Sequence, residues 1–352
     1  MPGYEKLMNE AARRQIPISA LIELTYRCNL SCRHCYILPA QLHPKSSSKQ
    51  SSLSRKEWAD IFAQLAEAGT LFLTFTGGET LLYPNFLELL NIARDQRFAF
   101  RVFTNGTLVT RETVKKLSRL NPFEVEISVY AADPNIHDLI TGREGSFEKT
   151  LEAIKLLKNE GIKVNLKTPV MTLNQKEVNP LRDLARDLNV LIQFSYVLSS
   201  RDDGNPGPLK LQLKTRGIRA GLSRENDSES CPDLTPHPDR RPVDPICAAG
   251  RNSLAISPEG KVYPCVQIRR EAGDLRKKRF AEIWRKSPVL REIREMTMAR
   301  VPECLSCRYL GFCSLCPGMS LTLSGEVGRP YWPSCELARA RAGKEKIFKE
   351  NY

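Results

Sequence analysis

Eleven cysteines set the tightest limit on what this chain of 352 residues can fold into, because their spacing divides it. Cys28, Cys32 and Cys35 stand near the front. The other eight (Cys231, Cys247, Cys265, Cys304, Cys307, Cys313, Cys316 and Cys335) fall in roughly the last third. Disulfides would need an oxidising compartment, yet Met1 to Gln15 alternates charged and small residues and has no apolar signal core. A cytoplasmic chain is expected, and in a reducing compartment so many thiols read as metal or cluster ligands. The split predicts one cluster in a front domain and more in a back one.

Composition narrows the class further. At 41% hydrophobic and 26% charged, the chain suits a soluble globular protein of two domains and not a low-complexity one. No run of ~18 apolar residues occurs, so no membrane span or membrane partner is expected. The net charge of +13 favours anionic partners without identifying one, and no nucleic-acid partner is expected.

The front half alternates short strands with helix-like stretches. Strands are expected at 18–25, 70–75, 98–103, 124–129, 162–169 and 190–196, with helices at 55–67, 85–95, 111–119, 147–159 and 177–187. Ser54 with Glu57 makes a capping box ahead of the first of these helices. Six such units predict an α/β fold, a partial (β/α)6 TIM-like barrel, with a smaller cysteine-rich iron–sulfur domain behind it. The expected divisions are an extension at 1–17, the barrel at 18–198, a bridge at 199–246, the cysteine-rich domain at 247–340 and a charged tail at 341–352. Residues 45–52, 199–208 and 232–245 read as connectors. The basic stretch 269–286 reads as a solvated face, whereas Phe280, Ile283 and Trp284 read as the buried side of a short helix.

In parallel sheets the chemistry gathers at the carboxyl ends of the strands. The three front cysteines follow the first strand, Gly77-Gly78-Glu79 the second and Asn105-Gly106 the third, while Ser128 ends the fourth. Three thiolates in one loop leave one iron of a four-iron cube open to an outside ligand. A zinc site that recruits His34 is the competing reading.

With its Cys28-x-x-x-Cys32-x-x-Cys35 spacing and Gly77-Gly78-Glu79, the front half resembles the radical SAM superfamily. His34 fills the motif's aromatic place, and Thr80 stands where the family usually has Pro. The resemblance implies a [4Fe–4S] cluster on the three cysteines and S-adenosylmethionine chelated to its open iron. Gly77, Gly78 and Glu79 would serve the amino group of that ligand, and Asn105 and Ser128 its ribose and carboxylate. A family arginine after the fourth strand is replaced by Thr141, which leaves Arg143 to take the carboxylate.

The rear cysteines are similar to the SPASM extension of that superfamily, apart from two residues between Cys313 and Cys316 where the pattern has three. The resemblance implies two auxiliary [4Fe–4S] clusters. Cys304, Cys307, Cys313 and Cys335 would hold one; Cys247, Cys265 and Cys316 would hold the other, with Cys231 as the candidate fourth ligand. Paired zinc ribbons are the alternative for Cys304 to Cys316.

Family members mostly modify a ribosomally made peptide or protein by crosslinking, epimerisation or oxidation, and that is the activity expected here. A small molecule or tetrapyrrole is the alternative substrate, and a non-catalytic iron–sulfur or zinc protein the distant one. Residues 1–17 are too short for the peptide-recognition domain that peptide modifiers often carry, so either a separate recognition protein is expected or none is used. Val266 stands where sulfatase maturases place an Asp base. A flavodoxin or ferredoxin electron donor is implied.

Overall fold

The computed structural model describes residues 2–38, 52–222 and 240–349, the last six by backbone alone. Helix α1 (Pro2–Arg14) leads into β1 (Ser19–Thr25). Then follow α2 (Arg55–Glu67), β2 (Phe72–Gly77), α3 (Phe86–Asp95), β3 (Ala99–Thr104), α4 (Arg111–Leu120) and β4 (Glu124–Ser128). After these come α5 (Pro134–Thr141), α6 (Ser146–Asn159), β5 (Val164–Pro169), α7 (Val178–Asp187) and β6 (Leu191–Ser195). The six strands pair in parallel, each with the next in chain order.

Alternation along the strands explains the layering. In β3, Phe100, Val102 and Thr104 are buried, while Ala99, Arg101 and Phe103 are only half-covered. The buried set packs with Phe62 and Leu65 of α2, Leu89 and Leu90 of α3, Leu117 of α4 and Leu157 of α6. Phe62 meets Phe75 and Phe98 edge-on at 5.9 and 6.2 Å between ring centres. The Ser54 capping box is present, with both reciprocal bonds formed. The opposite, helix-free face carries Arg101, Glu124, Glu126 and Lys167. Its two carboxylates are buried and paired with these cations at 2.5–3.3 Å.

Two helices of the front half were not foreseen. α1 is tied down where Asn252 Nδ2 donates to the Met8 carbonyl and Trp284 Nε1 to that of Gln15. α5 has legible ends, with Asp133 accepting from the N–H of Asn135 and Ile136 and Gly142 closing it at φ 69°. Eight residues are too few for a periodic signal to stand out.

The C-terminal part begins with α8 (Thr215–Leu222), and its β7 (Ser253–Ile256) pairs in parallel with the free edge of β1. Strands β8 (Lys261–Tyr263) and β9 (Gly273–Asp274) continue antiparallel, giving one nine-stranded sheet. An open edge at β1 would leave unpaired backbone groups, and the apolar Leu254-Ala255-Ile256 covers it. Helices α9 (Phe280–Lys286), α10 (Pro288–Arg294), α11 (Pro302–Leu305), α12 (Pro317–Ser324) and α13 (Trp332–Lys349) follow. Phe280, Ile283 and Trp284 are buried as expected. Of the three expected connectors, 45–52 and 232–245 lie largely outside the described residues. The third, 199–208, folds back over the front cysteine loop, the Asp202 N–H donating to the Tyr36 carbonyl at 2.8 Å.

Candidate active site

The front cysteine loop leaves β1 at the carboxyl edge of the sheet and is gripped from four sides. From β2, the N–H of Gly78 donates to the Thr25 carbonyl at 2.7 Å and that of Glu79 to the Arg27 carbonyl at 2.9 Å. Neither glycine tolerates a side chain. A Cβ on Gly77 would lie 2.3 Å from the Thr25 oxygen and one on Gly78 2.3 Å from the Arg27 oxygen, and Gly77 sits at φ 129°. From β3, Asn105 Nδ2 donates to Asn29 Oδ1 at 3.0 Å and lies 3.9 Å from the Cys28 sulfur. From β4, the Tyr130 hydroxyl lies 3.9 Å from the Cys32 sulfur. From α5, the Thr141 and Ile140 carbonyls accept the N–H groups of Ser31 and Arg33.

Glu79 is 1% exposed, and its carboxylate faces the protein. It accepts from Thr104 Oγ1 at 2.7 Å, the Leu81 N–H at 3.1 Å and the Asn105 N–H at 2.8 Å. Burial pushes its pKa up against these bonds. The carboxylate thus fixes the Asn105 turn, and Asn105 in turn fixes the loop at Asn29. Thr80, in the family's usual Pro place, donates to the Phe103 carbonyl at 3.0 Å.

Ser128 is half-buried at the end of β4, two residues before Tyr130. Arg143 donates to the Asn29 carbonyl at 2.9 Å, so it stands over the same loop from an exposed position. Thr141 has no charge to offer; its hydroxyl is buried against Ser146 at 2.7 Å. His34 packs edge-on against Tyr130 with ring centres 4.8 Å apart, and burial holds its pKa down to about 4. Tyr130 and Asn29 escaped the sequence reading because Tyr130 lies outside any motif and Asn29 fills an unspecified place between Cys28 and Cys32.

The thiols respond to one another in three groups. Burial and then the Cys35 and Cys28 charges push Cys32 up to about 12; Cys35 is pushed to about 11. Burial, then Cys335, Cys304 and Cys307, push Cys313 up to about 12. Burial, then Cys265 and Cys247, push Cys316 up to about 11. The two rear groups coincide with the two ligand sets that the SPASM resemblance implies. Cys231 lies outside the described residues.

Thiols held this high ionise only when a cation joins them, and a coordinating metal does that outright. Among the described residues no three His, Cys, Asp or Glu side chains converge on a single-ion site. Thiols grouped in threes and fours suit a multinuclear cluster, where each iron takes its own thiolate.

Arg269 departs from the expected solvated face. Its side chain is 16% exposed and grips the fully buried Glu23 with two bonds of 2.5 and 2.7 Å, plus Asp202 at 3.1 Å. Burial pushes the Asp202 carboxyl up to about 6 despite that contact.

Residues 22–188 match the radical SAM superfamily, and 247–308 match SPASM, an iron–sulfur cluster-binding domain. The antilisterial bacteriocin subtilosin biosynthesis protein AlbA of Bacillus subtilis is 31% identical over 86% of this chain and 67% of its own length. An AdoMet-dependent heme synthase of Methanosarcina barkeri is 27% identical over 86% of this chain and 92% of its own. The structure of native anSMEcpe with bound AdoMet and Cp18Cys peptide superposes with a TM-score of 0.72 at 18% identity, covering 95% of this chain and 98% of that one. Among the described residues no helix is long and apolar enough to cross a membrane. With the cysteine loop on the sheet's carboxyl edge and the rear thiols grouped in two sets, the chain belongs to the radical SAM superfamily and carries a C-terminal SPASM domain.

Proposed function

We propose that this chain is a maturase that modifies a ribosomally made peptide or protein. The observation that carries the reading is the cysteine loop pinned at the carboxyl ends of β1 to β4, joined to a rear module with two further thiol sets. Cys28, Cys32 and Cys35 would hold a [4Fe–4S] cluster, Cys304, Cys307, Cys313 and Cys335 a second, and Cys247, Cys265 and Cys316, with Cys231, a third. Bound there, the first cluster and S-adenosylmethionine supply a 5′-deoxyadenosyl radical on reduction.

The chain's own groups place that ligand. Gly77 and Gly78 keep the backbone bare where it meets the loop, and Glu79 holds Asn105 in position through the Asn105 N–H. Asn105 and Ser128 are proposed to contact the ribose and carboxylate, with Arg143 supplying the positive charge that Thr141 lacks. The half-open inner face beyond them, with Lys167 over the Phe103 ring at 5.0 Å, offers polar and aromatic groups to a peptide. A separate recognition protein and a flavodoxin- or ferredoxin-type electron donor complete the proposal.

AlbA, a bacteriocin biosynthesis protein, and the peptide-bound anSMEcpe structure support a peptide substrate. The heme synthase relative favours a second reading, a tetrapyrrole substrate. Anaerobic incubation of the reduced protein with S-adenosylmethionine and candidate precursor peptides, read by mass spectrometry, decides between them. Methionine and 5′-deoxyadenosine with a mass change in a peptide support the proposal. The same products with modification of a porphyrin only would support the second reading.

A further inference from the structure

The triad of Glu23, Arg269 and Asp202 joins three chain segments, each adjoining a cysteine of one proposed cluster or another. Glu23 is on β1, shortly before Cys28, and is 0% exposed. Asp202 lies in the segment that covers the front loop, its N–H bonded to the carbonyl of Tyr36, next to Cys35. Arg269 follows Cys265 in the turn closed by the Ile268 N–H and the Cys265 carbonyl at 3.0 Å. The guanidinium also lies 5.5 Å from the centre of the Tyr263 ring.

Stability alone is a poor reason for such a group. Taking a guanidinium and carboxylates out of water costs several kcal/mol per ion, and apolar residues of similar volume are often as stable. Placement gives a better reason. Asp202 is hydrogen-bonded to the residue that follows Cys35, whereas Arg269 stands one residue past the turn that Cys265 opens, so an anion adjoins the front set and a cation the rear one. A cluster gains one negative charge on reduction, so a fixed cation nearby favours its reduced form and a fixed anion opposes it.

We propose that the Glu23–Arg269–Asp202 triad is a fixed electrostatic element between the two ligand sets, with Asp202 lowering the reduction potential at Cys28–Cys32–Cys35 and Arg269 raising it at Cys247–Cys265–Cys316. The inference rests on the proposed function, in that both sets carry clusters. Arg269 and Asp202 are positioning residues in this account; neither ligates iron nor touches substrate.

The test is a redox titration followed by electron paramagnetic resonance on the reconstituted full chain. The front signal is identified by its change on adding S-adenosylmethionine. Arg269→Gln should move a rear signal to more negative potential, cutting its reduced-to-oxidised ratio at the wild-type midpoint by about tenfold. Arg269→Lys keeps the charge and should restore most of that ratio. Asp202→Asn leaves the Glu23–Arg269 pair in place, so it stays interpretable if Arg269→Gln misfolds; it should move the front signal to more positive potential. Unchanged potentials in folded, iron-replete Asp202→Asn and Arg269→Gln proteins would overturn the inference. So would a shift in Arg269→Gln that Lys fails to reverse, since that marks a purely structural role. Absence of any cluster signal in the wild-type protein would instead defeat the functional proposal beneath it.

Discussion

The front and rear cysteines are held by different means. The front three lie in a short loop that rests on finished secondary structure. Two glycines and an asparagine reach it from strands of the main core, and Tyr130 and the end of α5 from a smaller apolar cluster. The rear seven described cysteines run from Cys247 to Cys335 through short helices and turns, and the small apolar groups beside them centre on Ile246, Met298 and Val301 or on Ala249, Ile268 and Ile293. A scaffold with a large core can pre-form a ligand loop, whereas a small one leans on its metal for stability. The front loop is therefore expected to keep its shape without a cluster and the rear module to loosen.

The largest effect should come from Cys28, Cys32 and Cys35 all replaced by Ala. S-adenosylmethionine cleavage should vanish and iron should fall by about one third of a full complement of about twelve per chain, read by deoxyadenosine assay and metal analysis. Retained cleavage would remove the front loop from the chemistry. Next is Cys307→Ala, which should abolish substrate modification but leave basal cleavage, and should raise proteolytic sensitivity after residue 240. Normal modification by a well-folded Cys307→Ala protein would show that the rear set is dispensable.

A third variant, Gly77→Ala, tests the pre-formed loop itself. The clash with the Thr25 carbonyl and the φ of 129° should cost on the order of 3 kcal/mol in denaturant unfolding. A loss below about 1 kcal/mol would mean that the β2 turn gives way easily and the front loop is no better fixed than the rear.

The last test uses pH. His137 Nδ1 accepts from the Tyr130 N–H at 3.3 Å, and burial holds its pKa down to about 4, against ~6.5 when unfolded. Because the folded value is the lower one, the unfolded chain takes up the proton first as pH falls. Its contribution is therefore complete above ~6.5 and fades as pH drops towards about 4, by ~3 kcal/mol at most. Unfolding midpoints between pH 7.5 and 5 should slope less in His137→Gln than in wild type; equal slopes would exclude this histidine as a support of the loop.

Much of the site was legible because its residues mark strand ends. The Cys28–Cys35 spacing, the bare Gly77-Gly78 and the Asn105-Gly106 turn each follow an apolar run, and the structure brings all three to one edge. Arg269 was misread because a basic run looks the same whether one of its members turns inward or not. β7 was missed as part of the sheet because three apolar residues carry no record of which edge they will cover.

The sequence by itself determined the strand–helix alternation and the spacing of the cysteines that marks the family, since these depend on local order and residue type. Tertiary structure alone decided that Tyr130 reaches Cys32 across 98 residues and that Arg269 meets Glu23 across 246. It also decided that the rear module shares a sheet with the front one. Contacts so distant along the chain arise from the packing of the completed core against a free β1 edge, and no periodicity or propensity in either partner encodes them.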